Sequence, residues 1–151
     1  MKTLAIIVVC SLASLTDVGA QIKEETKYKI NPTADNKSPT GVYIPQDLDD
    51  CFDELKKILH PEFIDEIKDG REDDMIKYHR GLGQWIRNNW GLWSNSQLSK
   101  YFNNFEIYHP DDMSSIIITS FWKYLNGKPL ELEEQIKYYQ DYWEKMRKNK
   151  K

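Results

Sequence analysis

His109-Pro110-Asp111-Asp112-Met113-Ser114-Ser115-Ile116-Ile117-Ile118-Thr119-Ser120-Phe121-Trp122-Lys123-Tyr124-Leu125-Asn126-Gly127 is the stretch on which the fold class turns. Its centre, Ile116-Ile117-Ile118-Thr119, has the β-branched composition of a strand. Its ends say otherwise. Pro110 suits a first helical position, where a missing N–H is no loss, and Asp111 and Asp112 put negative charge where the helix dipole favours it. Gly127 then follows the last apolar residues as a stop. Met113, Ile116, Ile117, Phe121, Tyr124 and Leu125 recur at helical spacing, so the stretch reads as a buried helix.

The same signals recur on both sides. Pro45 is expected at the start of a helix carrying Leu48, Cys51, Phe52, Leu55, Ile58 and Leu59. Pro61 opens a shorter one with Phe63, Ile64 and Ile67, stopped by Gly70 in a left-handed C-cap. Glu72-Asp73-Asp74 begin a third helix through Met75, Ile76 and Tyr78. Gly81-Leu82-Gly83 is expected to break it, before a short helical turn with Trp85 and Ile86 and a reversal at Asn88-Asn89-Trp90-Gly91. Ser94 or Ser96 caps a helix with Leu98, Tyr101, Phe102 and Phe105. A last helix runs from about Leu132 past Trp143, with Ile136, Tyr139 and Trp143 on one stripe. The expected fold is all-α: a compact bundle of about five or six short helices over residues 43–147, with no disulfide and a basic tail at 148–151.

A chain of 151 residues, 40% hydrophobic and 13% aromatic, has room and apolar mass for one core. Met1-Lys2-Thr3 is a short positive start, and residues 4–15 carry no charge yet are too few to span a bilayer. Val18-Gly19-Ala20 then offers a cleavage site before Gln21. Residues 1–20 are therefore expected to be a signal peptide, exporting the protein to the periplasm or the medium with no transmembrane helix remaining. An uncleaved anchor is the alternative; a lipidated Cys10 is disfavoured by Val9, because a lipobox needs a small residue there. Residues 21–42, polar and broken by Pro32 and Pro39, read as a flexible linker. Cleavage would remove Cys10 and leave Cys51 alone, so no intramolecular disulfide is expected. It would also remove Lys2 and Asp17 together, keeping the formal charge at −3, which does not favour a nucleic-acid partner. The charge is bipolar, acidic over residues 47–74 and basic over 145–151.

Three blocks carry a resemblance. Tyr43-Ile44-Pro45 with Leu48 and Cys51-Phe52, Tyr78-His79 with the run from Gly81-Leu82-Gly83 through Trp85-Ile86-Arg87-Asn88-Asn89-Trp90-Gly91-Leu92-Trp93, and His109-Pro110-Asp111-Asp112-Met113-Ser114-Ser115 resemble a bacterial family classed only as a domain of unknown function. The resemblance spans roughly residues 43–143 and implies a compact bacterial domain. It implies no activity, cofactor or site residue.

The tryptophan block is the most unusual feature. Exposed, Trp85, Trp90 and Trp93 would stack on sugar rings or anchor a partner; buried, they would fill the core of a small domain lacking a disulfide, the expectation adopted here. Arg87, Asn88 and Asn89 need either water, a helix end to satisfy, or a hydrogen-bonding task. His60, His79 and His109 form no close pair of the zinc-motif kind, so no metal is expected. His79 sits near a helix end and His109 precedes Pro110, which is compatible with capping alone. Ser114 or Ser115 with His79 and Asp111 or Asp112 would make a nucleophilic arrangement, but neither serine lies in a G-x-S-x-G elbow. Cys51 falls on an apolar face and reads as a small buried hydrophobe. No phosphate-cradling motif occurs and no cofactor is called for.

The preferred reading is a binding or interaction module of the cell envelope or exterior. Its unknown partner is a protein or polysaccharide met through His79, Arg87, Asn88, Asn89 and Trp93, with His109 and Asp112 as further candidates. The rivals are a small hydrolase of an envelope polymer, using Asp111 or Asp112 with His79 or His109, and an assembly protein driven by bipolar charge. Convergence of His79, His109 and Asp112 in one cleft would favour the hydrolase. An exposed aromatic patch would favour binding.

Overall fold

The computed structural model describes Ala20 and residues 27–149. The rest of the expected signal peptide, residues 21–26 of the expected linker, and Lys150-Lys151 of the tail lie outside the described residues. Among the described residues six α-helices follow in order: α1 Leu48–Ile58, α2 Pro61–Asp69, α3 Gln84–Asn89, α4 Gln97–Asn103, α5 Pro110–Leu125 and α6 Leu132–Lys148. A 3-10 helix, Glu72–Tyr78, runs into a π-helical turn, His79–Gly83, between α2 and α3. No strand occurs among the described residues, and the fold is all-α.

α5 is the hub, packed against every other element. Its isoleucine run explains why. Ile116, Ile117 and Ile118 point in three directions 100° apart, so burying all three requires neighbours on most sides of the helix. Phe121 and Trp122 continue the buried surface, and the Trp122 indole N–H donates to the Gly70 carbonyl at 2.8 Å, pinning the end of α2. Lys123 is 3% exposed yet paired, its Nζ lying 2.9 Å from Glu72 and 2.5 Å from Glu131. One buried ammonium thus ties the 3-10 helix and the start of α6 to α5.

Two helices begin alike. His60 before Pro61, and His109 before Pro110, each cap with the imidazole: Nδ1 accepts from the Glu62 N–H at 3.4 Å and from the Asp111 N–H at 3.3 Å. α1 begins later than expected, because Asp47 and not Pro45 is the boundary; its carboxylate accepts the Asp50 N–H at 3.0 Å. Gly70 is not left-handed as expected, with φ −69°. What it provides is room, since a Cβ there would sit 3.2 Å from the Met75 terminal methyl. Nor does Gly81-Leu82-Gly83 break the chain: the π turn passes straight into α3. Gly83 lies close to α5, where a Cβ would meet Arg87 Nη1 at 3.0 Å and Ile118 Cδ1 at 3.5 Å.

The part of the expected linker within the described residues lies along the helices. The Asn31 N–H donates to the Ile58 carbonyl at 2.9 Å, the Thr40 hydroxyl to Asn89 O at 2.7 Å, and Ile30 and Val42 pack on the core. Cys51 is fully buried in α1, and burial pushes its thiol well up, as suits an inert packing residue. Trp90, also fully buried, is the one side chain among the described residues with a buried polar atom lacking a partner: its indole N–H meets no acceptor. Such an orphan costs about 1–3 kcal/mol, which the ring's apolar burial offsets.

Candidate functional site

The first turn of α5 is where the sequence candidates meet. Asp111 and Asp112 are adjacent in sequence but 100° apart around the helix, and they face different partners. Asp111 turns toward α3 and the π turn. Arg87 Nε approaches it at 3.0 Å, while Arg87 Nη1 donates to Ser114 Oγ at 2.9 Å and to the His79 carbonyl at 3.3 Å. His79 Nε2 lies 3.6 Å from the same Asp111 carboxylate. His109 Nδ1 lies 3.7 Å from it as well, but that nitrogen accepts the Asp111 N–H, so it presents a lone pair and the approach is not an ion pair.

Asp112 turns toward α6. It is 9% exposed and accepts one hydrogen bond, from the Trp143 indole N–H at 2.7 Å. Burial pushes its carboxyl up, against the lowering effect of that bond. Beside it opens a cavity of about 580 Å³ lined by Glu106, Tyr108, His109, Asp112, Gln140 and Trp143. Arg147 also lines it. The His109 ring lies 5.4 Å from Trp143 on one side and 6.3 Å from Trp93 on the other, an aromatic row along the same face. Trp93 is 59% and Tyr108 68% exposed. A larger cavity of about 640 Å³ borders Glu66, but there the carboxylate is occupied by Lys27, Tyr28 and Tyr78.

Glu106 carries an unusual backbone. Its N–H donates to Asn103 O at 3.0 Å and the Ile107 N–H to Phe102 O at 3.2 Å, the paired bonds of a Schellman helix end. α5 ends the same way, through Gly127 to Tyr124 at 3.1 Å and Lys128 to Lys123 at 2.9 Å. Glycine takes the left-handed position in one case, φ 61°, and glutamate in the other, φ 59°. A side chain pays for that conformation, so Glu106→Gly is expected to stabilise the protein by about 0.5–1 kcal/mol in urea unfolding, net of glycine's extra freedom when unfolded. A loss of stability would show that the Glu106 side chain contributes to the fold.

The other candidates are dispersed. Trp90 and most of Trp85 are packed inside, whereas Trp93 departs from the core expectation because the chain turns outward at Gly91, φ 64°. Arg87 is 7% exposed and committed to Asp111 and Ser114. Asn89 satisfies the helix end, donating to Trp85 O at 2.9 Å, and Asn88 is exposed. Ser114 is fully buried, donating to Asp111 O at 3.0 Å, which leaves it no access to a substrate. Sequence reasoning missed Glu106, Tyr108, Gln140, Trp143 as a site residue, and Arg147. The one local signal was the exposed polar face of the last helix. No group of three or more His, Cys, Asp or Glu among the described residues is placed to hold a metal ion. Nor, among them, is any helix long and apolar enough to cross a membrane.

A family model described as Domain of unknown function (DUF6794) matches residues 44–125. The chain belongs to that family. The match runs from just before α1 to the end of α5, so the DUF6794 domain holds Glu106, Tyr108, His109 and Asp112, while Gln140, Trp143 and Arg147 come from α6 beyond it. No curated protein and no solved structure matches this DUF6794 chain.

Proposed function

We propose that this DUF6794 protein is an exported bacterial binding module that seats its ligand in the cleft between the first turn of α5, residues 105–108 and α6. The observation that carries the reading is the exposed row Trp93, His109 and Trp143 beside the cavity at Asp112. Solvated aromatics next to a walled cavity with a few polar groups are what small-ligand and interface sites share. The exported, bacterial setting rests on residues 1–20 and on the block resemblance. The hydrolase alternative is less well supported, because Asp111 is engaged by Arg87, Ser114 is sealed, and His79 does not line the cavity that His109 and Asp112 share.

The test is a screen of the full chain on glycan and peptide arrays, followed by hydrogen exchange with whatever binds. Protection is expected at residues 105–112 and on α6. Trp93→Ala with Tyr108→Ala should weaken binding about tenfold or more while the melting temperature stays unchanged, both side chains being largely solvated. Protection confined to α1 and α2, or full binding by the double variant, would overturn the reading.

A further inference from the structure

We infer that the cavity beside Asp112 takes a primary ammonium group, held by the Asp112 and Glu106 carboxylates and walled by Trp143 and Tyr108. The inference rests on the binding-module reading and adds the chemistry of the ligand. Asp112 is nine-tenths buried, and the only hydrogen bond to its side chain among the described residues reaches Oδ2, from Trp143. No hydrogen bond among the described residues reaches Oδ1, and Asp112 lines the cavity. The nearby cations do not serve it. Arg87 is bound to Asp111, and Arg147 lines the cavity without an ion pair among the described residues.

Two further lining residues, Glu106 and Gln140, carry acceptor oxygens. Glu106 supplies a second carboxylate, from a left-handed position that glycine occupies at the matching end of α5. Gln140, also on the wall, donates its amide N–H to Phe105 O at 2.9 Å, which leaves its side-chain oxygen as an acceptor. The two carboxylates and the amide oxygen, beside the Trp143 and Tyr108 rings, match a ligand with several N–H donors and a positive charge. A metal ion is a poorer match, since hard cations take six or more oxygen ligands and the acidic groups here are too few. The volume, about 580 Å³, leaves room for the carrier of the amine, whether an alkyl chain such as a lysine stem or an amino sugar.

The experiment follows the Trp143 indole N–H by nuclear magnetic resonance in the ¹⁵N-labelled full chain, its signal assigned by Trp143→Phe. Cadaverine and glucosamine are titrated against their uncharged counterparts, 1,5-pentanediol and N-acetylglucosamine. A saturable shift with either amine and none with its neutral counterpart supports the inference; cadaverine alone points to lysine-like carriers, glucosamine alone to amino sugars. Asp112→Asn, whose amide oxygen still accepts the indole N–H, should weaken amine binding about tenfold or more, and Glu106→Gln several-fold. Equal shifts from the neutral counterparts, undiminished binding by Asp112→Asn, or no saturation by either amine overturns it. If arrays and hydrogen exchange still place a partner on this face, the ammonium assignment fails alone. If they place it elsewhere, the binding reading fails too.

Discussion

Arg87→Met is expected to lower folding stability by about 2–4 kcal/mol, measured by urea unfolding at neutral pH. The guanidinium reaches three targets from one side chain: the Asp111 carboxylate at 3.0 Å, Ser114 Oγ at 2.9 Å and the His79 carbonyl at 3.3 Å. They belong to the first turn of α5 and to the π turn, so the loss separates two elements and not merely a pair. Methionine keeps the apolar stem but leaves a buried hydroxyl and a carbonyl short of a donor. Asp111, 38% exposed at its side chain, regains water, which is why the cost falls short of a fully buried broken pair. Arg87→Lys should recover less than half, because an ammonium cannot reproduce the planar fork. A loss below about 1 kcal/mol, or full rescue by lysine, would show that Arg87 is not the fastening.

The second large effect is expected in acid. Burial pushes the Glu66 carboxyl up, but hydrogen bonds from Lys27, Tyr28 and Tyr78 outweigh it and hold the group at about 2, against an ordinary 4.5. A depressed folded value means that the contribution is fully present above pH 4.5 and is lost as pH falls toward 2. By linkage it amounts to about 3 kcal/mol. Glu66→Gln should therefore be less stable than the parent at pH 7 by up to that amount, with the two urea-stability curves drawing together as pH approaches 2. A difference that does not change with pH would sink the assignment. Asp112 has the opposite sign: its raised carboxyl opposes folding when ionised, and that cost is relieved as pH falls through its folded value toward 3.8. The carboxylate that holds the N-terminal segment stabilises the fold, whereas the one at the proposed site costs stability.

Much of the fold was legible because helix punctuation is local. Proline at a first position, acids in a first turn and apolar residues at three- and four-residue spacing act within one or two turns, and α2, α5 and α6 lie where those signals placed them. Cys51 was legible for the same reason, its position on an apolar stripe implying burial. The glycines were harder to read. Gly70 and Gly83 leave room for the Met75 methyl and the Arg87 guanidinium, whose positions are set by how the side chains pack and not by helical periodicity. The tryptophan block divided between core and surface for a like reason, since one turn at Gly91 sends Trp93 outward.

The candidate site shows where sequence reading stops. His79, Arg87, His109 and Asp112 were singled out individually, and α5 does bring them to one region. Asp111 and Asp112 look equivalent in sequence, as paired first-turn acids. Only the packing of α3 on one side and α6 on the other separates them into a structural anchor and a cavity carboxylate.

By itself, then, the order of residues determined an all-α domain built on a thoroughly apolar helix, because periodicity and capping are properties of neighbours along the chain. Tertiary structure alone decided that Arg87 is a buried fastening, that Trp143 reaches back to Asp112, and that a cavity forms between α5 and α6. The Arg87–Ser114 and Trp143–Asp112 hydrogen bonds join residues 27 and 31 positions apart, and their energies depend on burial and on partners that exist only once the helices pack.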